Sequence, residues 1–344
     1  MLFLCTLLHF TVDGVCAAVL AKYAVYESNF GNIVYYFSLY NLIAFGGQWI
    51  AGLFLDIKKK FVIPFFILTP IFLGLGIISS LGILNQVILI AIGNCIFHVA
   101  GGVLVLRKYN TFKEPGIFVS SGAIGLGLGL NLIVGALPFE IVCIYATFML
   151  IRYELKASSL EVNEEYKGIN LNLYNKQSFS ILLIGTFLLL ACIILRGFRG
   201  HANIPEYIML LPCTFAMGKS LGGLFCDIFG YKKTIISIFI LSFFSLQLIA
   251  FDFSGIWGIM PLILLTFAFN MTMPLTLRLI HWCFPEYPGL TFGLAAGCLL
   301  PGAFYGKILY ISPIVMIVIQ FLSLFIAGFI FQRYGKHKNN MEVL

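Results

Sequence analysis

Long apolar runs alternate with short polar breaks along the whole chain. They fall near 2–22, 32–55, 61–79, 83–106, 117–136, 138–152, 179–197, 204–226, 234–251, 256–281, 289–308 and 310–332. Most approach the ~20 residues that cross a hydrocarbon core at about 1.5 Å per residue, and 138–152 is the shortest. The pattern predicts an all-α polytopic membrane protein with twelve transmembrane helices. The longest polar stretch, Tyr153 to Gln177, parts six runs from six. The expected organisation is an N-terminal six-helix bundle over 1–152, a cytoplasmic linker over 153–178, a C-terminal six-helix bundle over 179–332 and a cytoplasmic tail over 333–344.

Composition agrees. The chain is 60% hydrophobic and 10% charged, against about 25% charged residues in soluble domains. The net charge of +7 comes from lysines and arginines gathered in short loops, with no basic patch interleaved by aromatics, so nucleic acid is excluded as a partner. Lys58 to Lys60, Arg107, Lys108, Lys113, Arg152, Lys156, Lys167, Lys176, Lys232, Lys233, Arg333, Lys336 and Lys338 fall on the linker's side of the membrane. Lys22, Arg196, Arg199 and Lys307 fall on the other. The positive-inside rule then places the linker and both termini in the cytoplasm of a cell-membrane protein. Nine cysteines are scattered without a C-x-x-C pair and read as small buried hydrophobes. A cleaved signal peptide is not expected, because the first run lacks a basic flank and carries Asp13.

Two stretches repeat each other. Gly47-Gln-Trp-Ile-Ala-Gly-Leu-Phe-Leu-Asp-Ile-Lys-Lys-Lys60 precedes the third run, and Gly218-Lys-Ser-Leu-Gly-Gly-Leu-Phe-Cys-Asp-Ile-Phe-Gly-Tyr-Lys-Lys233 precedes the ninth. Aligning Asp56 with Asp227 superposes Gly-Leu-Phe-x-Asp-Ile in both. Each copy ends a helix with an acid, turns, and continues in lysines. The acid is expected to meet the exposed N–H groups of the following helix, where negative charge is favoured. A second echo places Leu-x-Leu-Arg107 before Glu114-Pro115-Gly116, and Leu-x-Leu-Arg278 before Glu286 and Pro288-Gly289. Glycines recur in the second, fifth, eighth and eleventh runs, where small residues let helices approach closely.

The acidic loops resemble those between the second and third helices of each half in the major facilitator superfamily, whose pattern is G-x-x-x-D-x-x-G-x-K/R-K/R. The second copy matches at Gly223, Asp227, Gly230, Lys232 and Lys233. The first keeps Gly52, Asp56 and Lys58 to Lys60, is shorter and lacks the turn glycine. The resemblance implies that these are gating loops stabilising one transport state, and that helices 2, 5, 8 and 11 join the two halves. Lys219, about 12 Å up an ideal helix from Asp227, is expected to gate or anchor.

Polar side chains inside spans are costly, an acid or base at the helix centre by about 2.5–3.5 kcal/mol, and they tend to face aqueous paths. His9 and Asp13 lie one turn apart on the first span, and Asn94 and His98 repeat that spacing on the fourth. Asn270 lies in the tenth. The resemblance implies that helices 1, 4, 7 and 10 line the central cavity. Asp13 with His9 is then the expected proton-coupling pair, and Asn94, His98 and Asn270 the expected substrate-cavity residues. Helix-packing hydrogen bonds are the competing reading for each of them. Span seven carries nothing ionisable between Ser180 and Arg196. Arg278 and His281 are expected at the cytoplasmic surface, and Glu140 at the outer end of span six.

The implied function is secondary active transport of a small molecule by alternating access, coupled to protons. The alternatives are a proton-independent facilitator and a non-transporting sensor or scaffold on the same fold. No catalytic constellation, nucleotide motif, cofactor or metal site is expected. The expected partners are a small-molecule substrate, protons and the lipid bilayer, and the expected state is a monomer.

Overall fold

The computed structural model describes residues 1–158, 176–198, 208–249, 251, 255–305, 309 and 311–334. Residues 159–175 of the expected linker and 335–344 of the expected tail lie outside the described residues, as do Lys167, Arg199 and Lys307. Among the described residues regular structure is entirely helical. Helices α1 (Leu2–Tyr26), α2 (Phe30–Ala44), α3 (Gln48–Ile57), α4 (Val62–Ile77), α5 (Ile83–Lys108), α6 (Lys113–Leu130) and α7 (Ala136–Ser158) precede the linker. Helices α8 (Lys176–Phe198), α9 (Leu210–Phe229), α10 (Tyr231–Ile249), α11 (Ile256–Cys283), α12 (Pro288–Gly297), α13 (Leu300–Tyr305) and α14 (Pro313–Tyr334) follow it.

Ten helical segments among the described residues are long and apolar enough to cross a membrane. In that set, α2 and α3 form one crossing, and α12 and α13 another. The glycine-rich helices α6 and α9 lie in the two remaining expected spans, and both carry charge: Lys113 and Glu114 in α6, Lys219 and Asp227 in α9. The expected spans are thus recovered to within a few residues, with two physical departures. Span two breaks at Phe45–Gly47 and span eleven at Cys298 and Leu299. Span five starts earlier than expected, at Lys113, and stops at Leu130, with Leu132 at φ 52° in the turn beyond. Many large apolar side chains, among them Phe3, Phe187 and Trp257, are exposed, as lipid-facing surfaces require.

The chain divides into two compact units. The first comprises Met1–Lys108, Phe118–Gly168 and Glu286–Gly297. The second comprises Tyr109–Ile117, Ile169–Pro285 and Cys298–Leu344. Each unit therefore includes a short segment from the opposite half of the sequence.

In the first unit α1 packs on α5 and α7, and α3 on α5 and α12. The glycines of α6 bring it against α1: a Cβ at Gly125 would overlap the Phe10 carbonyl, and one at Gly129 would lie 2.5 Å from that of Gly14. In the second unit α11 packs on α8, α9 and α10, and α14 on α8 and α10. Leu265, Phe269, Met316 and Ile317 form a buried apolar cluster there. Eight of the nine cysteines are buried or half-buried, while Cys213 is exposed.

Candidate functional site

The two polar pairs of the first unit meet. His9 and Asp13 project from α1, Asn94 and His98 from α5, and α6 closes over them at Gly122. Asn94 Nδ2 donates to Asp13 Oδ1 at 3.0 Å. His98 Nε2 lies 2.9 Å from His9 Nε2. Asp13 carboxylate oxygens lie 3.3 Å from His9 Nε2 and 3.5 Å from His98 Nε2. Asn94 is fully buried and His9 and His98 nearly so, whereas the Asp13 side chain keeps 18% of its exposure. Of the three ionisable groups, the carboxylate is therefore the most accessible.

Tautomers follow from the partners. His98 Nδ1 lies 2.9 Å from the Asn94 carbonyl, which can only accept, so Nδ1 carries the hydrogen. In the neutral ring His98 Nε2 is then a lone pair aimed at His9. His9 Nε2 can donate to it, which leaves His9 Nδ1 as a buried nitrogen without a hydrogen-bond partner. The His9 ring is held between Phe97 and Phe118, with centroids at 5.9 and 4.7 Å. A Cβ at Gly122 would overlap both Asp13 Oδ2 and His9 Nε2, so only glycine lets α6 approach the pair this closely. Three polar groups around one carboxylate can hold and pass a proton.

Asn270 belongs to the second unit, where its amide donates to the Thr266 carbonyl of its own helix at 2.9 Å. Arg196 sits on α8 in the same unit, and its Nη1 donates to Thr272 Oγ1 at 3.3 Å. That contact was not legible in the sequence, where Arg196 reads as a flank at a span end.

The repeated acidic loops bind helix N-termini, but not those of the following helices. Asp56 accepts from Gly289 N at 2.9 Å and Leu290 N at 2.7 Å, at the start of α12. Asp227 accepts from Phe112 N at 2.9 Å and Lys113 N at 2.8 Å, at the start of α6. The expectation that each acid caps the next helix is therefore corrected: the capped helix comes from the other half of the sequence. The reason lies in the glycines. Gly52 and Gly289 touch backbone to backbone, as do Gly223 and the Phe112 carbonyl, which brings each acid within reach of a distant helix start.

The arginine echo converges on the same places. Arg107 Nη2 lies 3.6 Å from Asp56 Oδ1, and the Asp56 side chain is fully buried. Arg278 Nε donates to the Thr111 carbonyl at 2.9 Å. Arg278 and His281 are buried, at 0% and 2% exposure, which corrects the expectation that they reach the surface. Lys58, Lys59, Lys60, Lys232 and Lys233 are exposed. Lys219 is half-buried, and a Cβ at Gly116 would lie 2.6 Å from its carbonyl. Gly230 turns the second loop at φ 86° and ψ 158°, a conformation almost restricted to glycine. The first loop, lacking that glycine, turns instead through Lys58 at φ −116° and a 3-10 turn over Lys59–Phe61. Glu140, near the start of α7, is buried, and its carboxylate has no hydrogen-bond partner among the described residues.

Two solved structures share this architecture. One is the E. coli fucose:proton symporter; the other is a bacterial homologue of the iron transporter ferroportin in an outward-facing state. Each aligns with a TM-score of 0.59 at 12% identity, covering 97% of this chain and 98% of the other. Neither a protein-family model nor a characterised protein matches by sequence. At this identity the likeness establishes the fold alone, the polytopic all-helical architecture that these two structures share.

Proposed function

We propose that this chain is a secondary active transporter that moves a small molecule by alternating access, coupled to protons at Asp13 and His9. The observation that carries the reading is the cluster of Asp13, His9, His98 and Asn94 within a fold shared with a fucose:proton symporter. Intramembrane ionisable groups are costly and so mark substrate or proton paths where they occur, and inverted-repeat folds place their sites near the midplane. Asp13 takes up the proton, the two imidazoles receive or return it, and Asn94 orients the carboxylate.

In this reading the six-helix halves over 1–152 and 179–332, joined by the linker over 153–178, alternate about a central site, with both termini cytoplasmic. The Asp56 and Asp227 contacts stabilise one state, because a fixed carboxylate on two helix N–H groups is worth about 1.5–3 kcal/mol per charged hydrogen bond. Conversion to the other state breaks them.

The test is flux into proteoliposomes of the purified full chain, using a library of small molecules and an imposed proton gradient. Asp13→Asn is expected to reduce gradient-driven accumulation to background while leaving substrate exchange at equilibrium. Unchanged accumulation in that variant identifies a proton-independent facilitator. No flux of any substrate, with the protein monodisperse, identifies a sensor or scaffold.

A further inference from the structure

We propose that His9, Asp13 and His98 form a binding site for a first-row divalent transition-metal ion. The proposal deepens the transport reading by naming a ligand class for the same site. It rests on that reading only for the passage of the ion across the membrane; binding stands on the side-chain geometry.

Three ligand atoms from two helices converge. His9 Nε2 and His98 Nε2 are 2.9 Å apart, and carboxylate oxygens of Asp13 lie 3.3 and 3.5 Å from them. In a tetrahedral site with bonds of about 2.0–2.1 Å, neighbouring ligand atoms stand ~3.3 Å apart. Each separation lies within about half an ångström of that edge, with Asp13 Oδ2 facing His9 and Oδ1 facing His98, so an ion can be taken up with side-chain adjustment alone. Two imidazoles and one carboxylate suit Zn²⁺, Fe²⁺ or Co²⁺ better than Ca²⁺ or Mg²⁺, which take all-oxygen shells.

The surroundings are those of a metal site. His98 is fixed by its Nδ1–H bond to the Asn94 carbonyl, which aims the Nε2 lone pair into the triangle. Asn94 Nδ2 holds Asp13 Oδ1, and the Asn94 Oδ1 atom is buried without a hydrogen-bond partner among the described residues. Gly122 lets α6 pack directly against Asp13 Oδ2 and His9 Nε2, where a Cβ would overlap both ligand atoms. An ion bound through both Nε2 atoms would relieve the close approach of the two rings, since each could then direct a lone pair inward.

The test uses the purified full chain in detergent with Co²⁺ and Zn²⁺ as probes. Co²⁺ is expected to bind with one ion per chain, and its X-ray absorption to show a shell of nitrogen and oxygen with imidazole scattering and no sulfur. His98→Gln and Asp13→Asn are each expected to weaken binding at least ~10-fold, with Cys213→Ser unchanged. Because one of the site variants can fail to fold, the wild-type spectrum is decisive on its own. A sulfur-containing shell, or no binding by monodisperse wild-type protein at millimolar Co²⁺, overturns the proposal. The same protein in liposomes with an entrapped dye quenched by Co²⁺ separates the two readings. Binding with no flux of metal, small molecule or protons retains the metal site and overturns transport. Gradient-driven flux of a small molecule with no metal binding does the reverse.

Discussion

Glu27 ends α1 and opens the turn into α2 with one carboxylate. Tyr23 Oη donates to it at 2.6 Å, Asn29 N at 2.8 Å and Asn32 Nδ2 at 3.2 Å. The Tyr23 hydroxyl first, and then the Asn29 N–H, hold its carboxyl below the ordinary value of 4.5. The sign follows: hydrogen bonds to the charged form favour it, so this contribution to the turn is complete above 4.5 and is lost as pH falls through the depressed value. A carboxyl-carbon NMR titration in micelles is expected to place the Glu27 midpoint under 4.5, and Tyr23→Phe to move it upward. A midpoint at or above 4.5 in the native chain removes the argument. At this scale the sequence was informative about residue type but not about partner. His9 with Asp13 and Asn94 with His98 were legible as polar pairs at helical spacing. That all four share one site was not, since the separation of α1 from α5 along the chain carries no distance.

Helix contacts turn on a few backbone positions. A Cβ at Gly52 would overlap the Gly289 carbonyl, and backbone atoms cannot rotate away as a side chain does. Gly52→Ala is expected to separate α3 from α12 and to cost about 1–3 kcal/mol, the usual range for overpacking. Gly135→Ala, where nothing lies within 4 Å, is expected to change stability by less than ~0.5 kcal/mol. Thermal unfolding in detergent compares the two, and equal midpoints would remove the steric account. The glycines of spans two, five, eight and eleven were legible as contact surfaces. The resemblance set those spans against one another, and Gly52 of span two does meet Gly289 of span eleven; that Gly122, Gly125 and Gly129 meet α1 was not legible. Periodicity tells which face is small, and only packing tells what lies against it.

The two repeated loops make the same kind of contact. Each acidic loop meets a helix start from the opposite half of the sequence, and each contact lies within one compact unit. Asp56 and Asp227 have no hydrogen-bond partner in common, so the unfolding costs of Asp56→Asn and Asp227→Asn are expected to add to within ~0.5 kcal/mol. A double-mutant cycle measures this, and a larger coupling would mean that the two contacts form and break as one. The copies also differ. Asp56 is buried beside Arg107, while Asp227 is half-buried, and the two turns use different backbone geometry. A repeated motif therefore keeps its contact while its electrostatic setting diverges.

The chain by itself determined the helical segments and the all-helical membrane architecture, because crossing a bilayer demands long apolar runs and leaves few ways to satisfy the backbone. It also marked the residues too polar to be there without cause. Tertiary structure alone decided which helix start each acid caps, that Arg278 and His281 turn inward, and that two histidines and an aspartate close to within 3.5 Å. Those outcomes depend on close approach between segments far apart in sequence, and local spacing holds no information about it.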